Sequence, residues 1–263
     1  MSQNGSKRWA ELFFVLYTPV WVSLIAGIVV SGVYQWMDAW HYLWVGLLCA
    51  APCVLFPLMC ISEADRKLPW HQRFVWRANL WIFIFGFVGN YFWTHYFFNL
   101  LGAKYTMPSH RLNDVPLACY LITHAYFTMY FSVTNIVMRR VRTSMVRSPT
   151  WVRRSTLLVL TLVLSYITAF METYTIASYP DYSFQNRDLM YTVGSTLYSL
   201  YFVVGFPMFL VLDEDAPAST APSLWSVAKD ALAASMAVTI LLDAWRLVVG
   251  GIVDNIPRCL PWL

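Results

Sequence analysis

Charged residues are scarce in this sequence. Lys, Arg, Asp and Glu together make up 12% of its 263 residues, whereas ordinary soluble domains contain about 25%. Hydrophobic residues make up 59% and aromatic residues 17%. This composition argues against a soluble globular domain and favours a chain that lies largely within a membrane.

Several catalytic signatures are also missing. The five histidines form no HxxxH or HxxHH box, which excludes a desaturase or hydroxylase of the histidine-box type. The GxSxG elbow of serine hydrolases and a glycine-rich phosphate loop are absent as well. The five cysteines show no CxxC, haem-attachment or zinc spacing, so the sequence predicts no metal site.

Long apolar runs are what the sequence has in abundance. About 20 apolar residues cross a hydrocarbon core of about 30 Å as a helix. We therefore predict an all-α integral membrane protein, a single polytopic membrane domain over residues 1–263 with about seven transmembrane helices in one bundle. The runs are roughly 12–33, 43–61, 79–101, 117–138, 156–178, 190–212 and 227–250, and charged residues interrupt the last one.

Basic residues predict the orientation of this bundle. Thirteen of the 18 Lys and Arg lie near the N-terminus or in the connections that follow even-numbered helices. The positive-inside rule then places the N-terminus in the cytosol. The arginine-rich segment 139–154 could instead bind nucleic acid, but its position fits anionic lipid headgroups better, so no nucleic-acid partner is predicted. The polar segment 213–223 indicates a cytosolic loop.

Ionisable residues inside the predicted helices are the candidate catalytic residues. Each costs about 2.5–3.5 kcal/mol on insertion scales and is a functional candidate by default. They are Glu172, His95, His124 and Asp243. All four lie about 9–10 Å below the predicted lumenal edge, at 1.5 Å per residue, and we expect them to share one cavity. Arg246, three residues after Asp243, could instead neutralise that carboxylate.

Small polar side chains accompany these residues at helical spacing. Hydrogen bonding between helices is a common use of such residues in membranes, and substrate binding is the alternative. A carboxyl and an imidazole in an aromatic cavity suit proton transfer on an apolar substrate, and aromatic faces would stabilise a carbocation. A proton-coupled transporter would use the same residue types. The candidate substrate-binding residues are Asn90, Tyr91, Thr94, Thr128 and Thr168.

Segments in order along nearly the whole chain carry a resemblance to a known family. Among them are "SKRWAELFFVLYTP", "VGNYFWTHYFFNLLGAKYT", "NDVPLACYLITH" and "SYITAFMETYTIASYPDYSF". These segments resemble the cycloeucalenol cycloisomerases, which are cyclopropyl sterol isomerases. The short stretch "FMETYTIA" is also similar to the Met-Glu-Thr of emopamil-binding-type sterol isomerases, where the glutamate handles a proton. Glu172 is therefore the first candidate for proton transfer.

The resemblance implies a reaction that opens the 9β,19-cyclopropane ring of a 4α-methyl cyclosterol. Cycloeucalenol would become obtusifoliol in sterol biosynthesis, without a redox cofactor or a metal. A proton would be added at carbon 19, positive charge would develop at carbon 9, and a proton would leave carbon 8. Burial favours the uncharged forms of both a carboxyl and an imidazole. Neutral Glu172 could therefore donate while an imidazole accepts, and the opposite assignment is equally consistent.

The expected setting is the endoplasmic reticulum membrane, with a sterol substrate and membrane lipid as partners. The sequence predicts no oligomeric state. A proton-coupled lipid or sterol transporter, or a sterol-binding membrane protein without catalysis, is the alternative. Both would use the same residues, so an assay has to distinguish them from an isomerase.

Overall fold

Seven helices form the described part of the chain, which in this computed structural model comprises residues 2–177, 179–212 and 222–253. Two of them, α3 and α6, are each interrupted by one π-helical turn. The helices are α1 Gly5–Ser31, α2 Ala39–Met59, α3 Phe74–Val88 with Gly89–Trp93 and Thr94–Leu101, α4 Leu117–Ser144, α5 Thr150–Ile176, α6 Arg187–Leu189 with Met190–Gly194 and Ser195–Val211, and α7 Leu224–Val248. Short 3₁₀ turns lie at Val33–Trp36 and Trp70–Gln72.

The helices confirm the predicted all-α membrane fold. Five of them, α1, α2, α5, α6 and α7, are long and apolar enough to cross a membrane. The π turn divides α3 into two shorter segments, and α4 is the least hydrophobic of the seven. Both occupy central positions. Helix α4 packs against α1, α2, α3, α5 and α6, and α3 packs against α1, α2, α4 and α7. The chain is thus a multi-pass membrane protein; the orientation of its N-terminus stays a prediction.

Six of the seven helices begin earlier than their apolar runs. The run that starts near residue 12 belongs to a helix that starts at Gly5, where the Asn4 side chain accepts a hydrogen bond from the Lys7 amide at 3.2 Å. In the same way Asp38 accepts from the amides of Trp40 and His41 at the start of α2. Such caps satisfy amides that have no partner within the helix. Polar end turns therefore stay helical beyond the hydrophobic stretch.

Aromatic side chains fill the core between α3, α4 and α6. Trp81 stacks on Phe85 with ring centroids 4.8 Å apart and meets Phe131 edge-on at 5.0 Å. Such pairs contribute about 0.5–1.5 kcal/mol each beyond the burial of their area. A Cβ at Gly205 would lie 3.1 Å from the rings of Phe85 and Phe131, so this glycine lets α6 approach the two aromatic helices closely.

A buried ion pair joins α1 to α4. Arg139 Nη1 donates to Glu11 Oε2 at 3.0 Å, and Nη2 donates to the other carboxylate oxygen. Glu11 is 1% exposed and Arg139 is 8% exposed. Lys7, one turn before Glu11, places its ammonium 5.1 Å from the centre of the Phe74 ring. These charges lie at the end of the bundle that the sequence assigns to the cytosol, and sequence reasoning did not predict their pairing.

Two short antiparallel pairings order the loops at the opposite end. β1 (Lys104–Tyr105) pairs with β4 (Tyr182–Ser183), and β2 (Arg111–Leu112) pairs with β3 (Val115–Pro116). The β1–β4 pairing ties the α3–α4 loop to the α5–α6 loop. Most of the linker predicted over 213–223 lies outside the described residues, since 213–221 are not described.

Candidate active site

A cavity lies between α3, α4, α5 and α6, beneath the β1–β4 pairing. Its volume is about 70 Å³, which is room for a few water molecules at about 10–15 Å³ each. Aromatic rings form much of its wall, including those of Phe97, Phe127 and Tyr201. In the described part of the chain no Lys, Arg or His lines it. The cavity is thus aromatic, with a small number of polar groups.

Glu172 is the carboxyl group of this cavity. It comes from the last turns of α5, is half-buried, and lines the wall. The Tyr198 hydroxyl donates to its Oε2 at 2.6 Å, and the hydroxyls of Tyr126 and Tyr130 lie near the same carboxyl. Phenol donors can therefore stabilise the carboxylate when it has lost its proton.

Hydrogen bonds also join α3 to α4 on the polar side of the cavity. The Asn90 amide donates to Thr123 Oγ1 at 3.0 Å and to the Gly86 carbonyl at 2.9 Å. The Thr123 hydroxyl lies 3.0 Å from the Tyr126 hydroxyl. Tyr126 in turn lies near Glu172, so the polar side of the cavity brings together residues of α3, α4, α5 and α6.

The two π-helical turns flank the cavity. Gly89–Trp93 supplies Asn90, and Met190–Gly194 supplies Met190, which also lines the wall. A π turn is rare and occurs mostly as a single turn at functional sites. A Cβ at Gly194 would overlap the Met190 side chain, so the glycine leaves room for this methionine beside the cavity.

Two stacked tyrosines cover the loop end of the cavity. The rings of Tyr105 and Tyr182 are 4.5 Å apart with an angle of 13° between their planes, and both line the wall. The β1–β4 pairing holds them in register. Burial raises the pKa of both hydroxyls above the ordinary tyrosine value, so these phenols are protonated at neutral pH.

The two candidate histidines lie elsewhere. His124 Nε2 is 2.7 Å from Asn79 Oδ1, and the ring lines a separate cavity of about 30 Å³. His95 packs edge-on against Phe98 at 5.3 Å, and its buried Nε2 has no hydrogen-bond partner among the residues the structure describes. Neither lines the cavity of Glu172.

Asp243 forms an ion pair instead of entering the cavity. Arg246 Nε donates to Asp243 Oδ1 at 2.8 Å, and the Tyr96 hydroxyl donates to the same oxygen at 3.4 Å. This matches the alternative in which Arg246 neutralises the carboxylate. The expectation of one cavity shared by all four ionisable residues is therefore wrong, because equal depth in the membrane does not fix the direction in which a side chain points.

Of the five candidate substrate-binding residues, some line the cavity of Glu172 and others do not. Asn90 and Thr94 line the cavity, whereas Tyr91, Thr128 and Thr168 do not. Tyr91 stacks on Phe87 at 5.7 Å. The Thr128 hydroxyl donates to the Ala125 carbonyl at 2.6 Å within its own helix, a bond that satisfies the hydroxyl locally.

Sequence reasoning missed the tyrosines beside the carboxyl and the threonine that contacts one of them. Thr123, Tyr126 and Tyr130 follow helical spacing along α4, next to the face that carries His124. That spacing was the available signal, but a second polar face on the same helix competed with it. Tyr198 on α6 gives no comparable signal, since its partner Glu172 comes from another helix.

The arrangement suits the transfer of a proton to or from an apolar molecule. A carboxyl with phenol donors can give up a proton and then be stabilised as an anion. In the described residues no three His, Cys, Asp or Glu side chains lie together in a way that could hold a metal ion. The described residues that line the cavity therefore supply one carboxylic acid, Glu172, and its hydrogen-bond donors.

Similarity to a known protein extends over the whole chain. The chain is 45% identical over 269 aligned residues to cycloeucalenol cycloisomerase of Arabidopsis thaliana, and the alignment covers 100% of this chain and 95% of that protein. No family model matches the chain, and no solved structure matches it. The aligned region includes every helix that builds the cavity.

Proposed function

We propose, from the premise that this chain belongs to the cycloeucalenol cycloisomerase family, that it opens the 9β,19-cyclopropane ring of 4α-methyl cyclosterols. Membership makes the chain an isomerase. The proposed conversion is cycloeucalenol to obtusifoliol, a step of sterol biosynthesis. The observation that carries this proposal at the site is Glu172, a carboxyl held by a tyrosine in an aromatic cavity within the membrane bundle.

Glu172 is the proposed acid of the reaction. Its proton goes to carbon 19, and the electron pair of the bond between carbons 9 and 19 becomes the new carbon–hydrogen bond of the angular methyl group. Positive charge then develops at carbon 9, where the faces of nearby aromatic rings stabilise it. The Tyr198 hydroxyl, 2.6 Å from the carboxyl, stabilises the carboxylate at the same moment.

Asn90 and Thr94 are the proposed polar contacts of the substrate, because both line the cavity. The catalytic roles predicted for His95, His124 and Asp243 stay predictions, and the position of these residues outside the cavity does not favour them. The substrate contacts predicted for Tyr91, Thr128 and Thr168 also stay predictions, and these residues likewise lie outside the cavity.

The substrate has to widen the cavity when it binds. Ligand pockets commonly measure about 300–1,000 Å³, and the volume of this cavity is about 70 Å³. We propose that the sterol reaches it from the lipid between the helices, with its hydroxyl at the polar rim. The proposed setting is the endoplasmic reticulum membrane. The proposed orientation has the N-terminus in the cytosol, and the distribution of basic residues supports this orientation.

A direct assay tests the activity. Membranes that contain the purified full chain are supplied with cycloeucalenol, and the sterols are identified by mass spectrometry and NMR. We expect a product of unchanged mass with an 8,9 double bond and a new angular methyl group. Recovery of unchanged cycloeucalenol, together with saturable binding of the sterol to the protein, would contradict the proposal and favour a sterol-binding or transport protein.

A further inference from the structure

Glu172 is half-buried rather than buried, although it belongs to a helix that is long and apolar enough to cross the membrane. The stacked rings of Tyr105 and Tyr182 cover the loop end of its cavity. Tyr198 occupies the side toward α6, where its hydroxyl donates to the carboxyl at 2.6 Å. The exposed part of Glu172 therefore faces sideways, toward the surroundings of the helix bundle.

The open side lies between α4 and α5. Tyr126 and Tyr130 of α4 have their hydroxyls near the carboxyl of Glu172 on α5, and both tyrosines are half-buried like Glu172. On the same side of α4, Met129 is half-buried and Val133 is exposed. Helix α5 packs extensively against α6 and less extensively against α4. The gap between α4 and α5 is thus the part of the helical wall through which the carboxyl can be reached.

This gap faces lipid hydrocarbon along much of its length. Tyr130 is 13 residues after Leu117, the first residue of α4, which corresponds to about 20 Å at 1.5 Å per residue. From Leu117 to Met138 of α4 and from Ser155 to Ile176 of α5, Glu172 is the one residue among Asp, Glu, Lys and Arg. The gap therefore suits an apolar molecule and offers no charged partner to a phospholipid headgroup.

We infer that the gap between α4 and α5 is the entrance through which the sterol passes from the lipid to Glu172, with Tyr126 and Tyr130 at its inner end. This inference rests on the proposed function. Thr168 stands at the entrance, because it is half-buried and lies one turn before Glu172 on the same side of α5. A larger side chain at this position narrows the entrance and leaves the hydrogen-bond donors of the carboxyl in place.

A lipid-soluble carbodiimide tests whether Glu172 is reached from the lipid. The full chain in phospholipid vesicles is treated with dicyclohexylcarbodiimide, which adds to an uncharged carboxyl, the form that burial favours. The acid proton goes to a carbodiimide nitrogen, the carboxyl oxygen bonds to the central carbon, and migration of the acyl group to nitrogen leaves a stable N-acylurea. Mass spectrometry of peptides locates the added reagent and measures the labelling rate of each carboxyl. Parallel reactions use a cationic, water-soluble carbodiimide, or vesicles that contain cycloeucalenol.

Glu63, an exposed glutamate of the α2–α3 loop, is the internal reference. We expect the lipid-soluble reagent to label Glu172 several-fold faster than Glu63 and the cationic reagent to show the opposite preference. Cycloeucalenol should slow the labelling of Glu172 and leave that of Glu63 unchanged. Glu11, which is ion-paired with Arg139, should stay unlabelled by the lipid-soluble reagent.

Thr168→Trp should slow both the labelling of Glu172 and the isomerisation of cycloeucalenol several-fold, the latter as a lower kcat/KM. The control Ile167→Trp, at an exposed neighbouring position on α5, should change neither rate. Preferential labelling of Glu172 by the cationic reagent, or no protection by cycloeucalenol, would overturn the inference. Both results come from the wild-type chain, so the test holds even where Thr168→Trp does not fold. Labelling does not require turnover, so failure of this inference is distinguishable from failure of the proposed function, which the product assay detects.

Discussion

Replacement of Glu172 by glutamine is the most direct test of the proposed acid. Glutamine has nearly the same size, and its Oε1 can still accept the hydrogen bond that Tyr198 donates to Glu172 at 2.6 Å. It cannot give a proton to carbon 19. Loss of a positioned acid or base typically costs a factor of about 10²–10⁴ in rate, so we expect turnover to fall by at least about 100-fold.

The effect on stability should be much smaller than the effect on rate. A hydrogen bond to a charged group contributes about 1.5–3 kcal/mol and a neutral one about 0.5–1.5 kcal/mol. Replacement of Glu172 by glutamine therefore changes the free energy of unfolding by about 1 kcal/mol, the difference between the middles of these two ranges, if the bond to Tyr198 is kept. A rate loss of 10²–10⁴ corresponds to about 2.7–5.4 kcal/mol of activation free energy, at 1.36 kcal/mol per factor of ten. The lost activity thus exceeds anything that unfolding could explain.

The assay compares initial rates of obtusifoliol formation for wild type, Glu172→Gln and the control Glu63→Gln at equal amounts of folded protein. Glu63 is an exposed glutamate that does not line the cavity, so its replacement should leave the rate unchanged. Size-exclusion chromatography and thermal melting in detergent confirm that each variant is folded. A Glu172→Gln rate within tenfold of wild type would refute the assignment of this residue as the acid.

Three further predictions test the surroundings of the carboxyl and the helix bundle. Tyr198→Phe removes a bond worth about 1.5–3 kcal/mol to the carboxylate, so kcat should fall by roughly 10- to 100-fold with little change in KM; an unchanged kcat would contradict this. Glu11→Gln breaks the buried pair with Arg139 at a cost of about 3–5 kcal/mol, so the melting temperature should fall while kcat per folded molecule stays the same. Gly194→Ala adds a Cβ that overlaps Met190 and should push that side chain into the cavity. The rise in KM, expressed as a free energy, should therefore exceed the fall in the free energy of unfolding.

The helices were predictable because each depends on a local property of the sequence. Long apolar runs predict all seven helices, and five of these are long and apolar enough to cross a membrane, including α7 although charged residues interrupt its run. Helix ends were less predictable. Caps such as Asn4 and Asp38 extend helices into polar sequence, and hydropathy alone does not register them.

The direction of individual side chains was harder to predict than their depth. Residues on a regular helix turn by about 100° each, at 3.6 residues per turn, and a π turn inserts one extra residue into that count. Tyr91 lies within the turn Gly89–Trp93, and His95 follows it. A face defined by a spacing of four residues is therefore not valid across this turn. The glycine at its start is a weak signal, since glycine is common in membrane helices.

Contacts between distant helices were the least accessible from the sequence. Glu172 was identified from its burial and its charge, which are properties of one residue. Its donor Tyr198 comes from a different helix, and the hydroxyl at the end of a long ring reaches the carboxyl across the interface. Such pairs depend on how α5 and α6 pack, and this information is not local to either segment.

The cover over the cavity is held by much less structure than the helices beneath it. β1 and β4 contribute two residues each, and the Thr106 amide adds one bond to the Asp181 carbonyl at 2.9 Å. Regions with few backbone hydrogen bonds open locally at a small fraction of the global free energy of unfolding. The loop end is therefore the part of the site that opens most often, while α3–α6 stay packed. The two short strands are therefore the part of the cavity wall whose movement costs the least free energy.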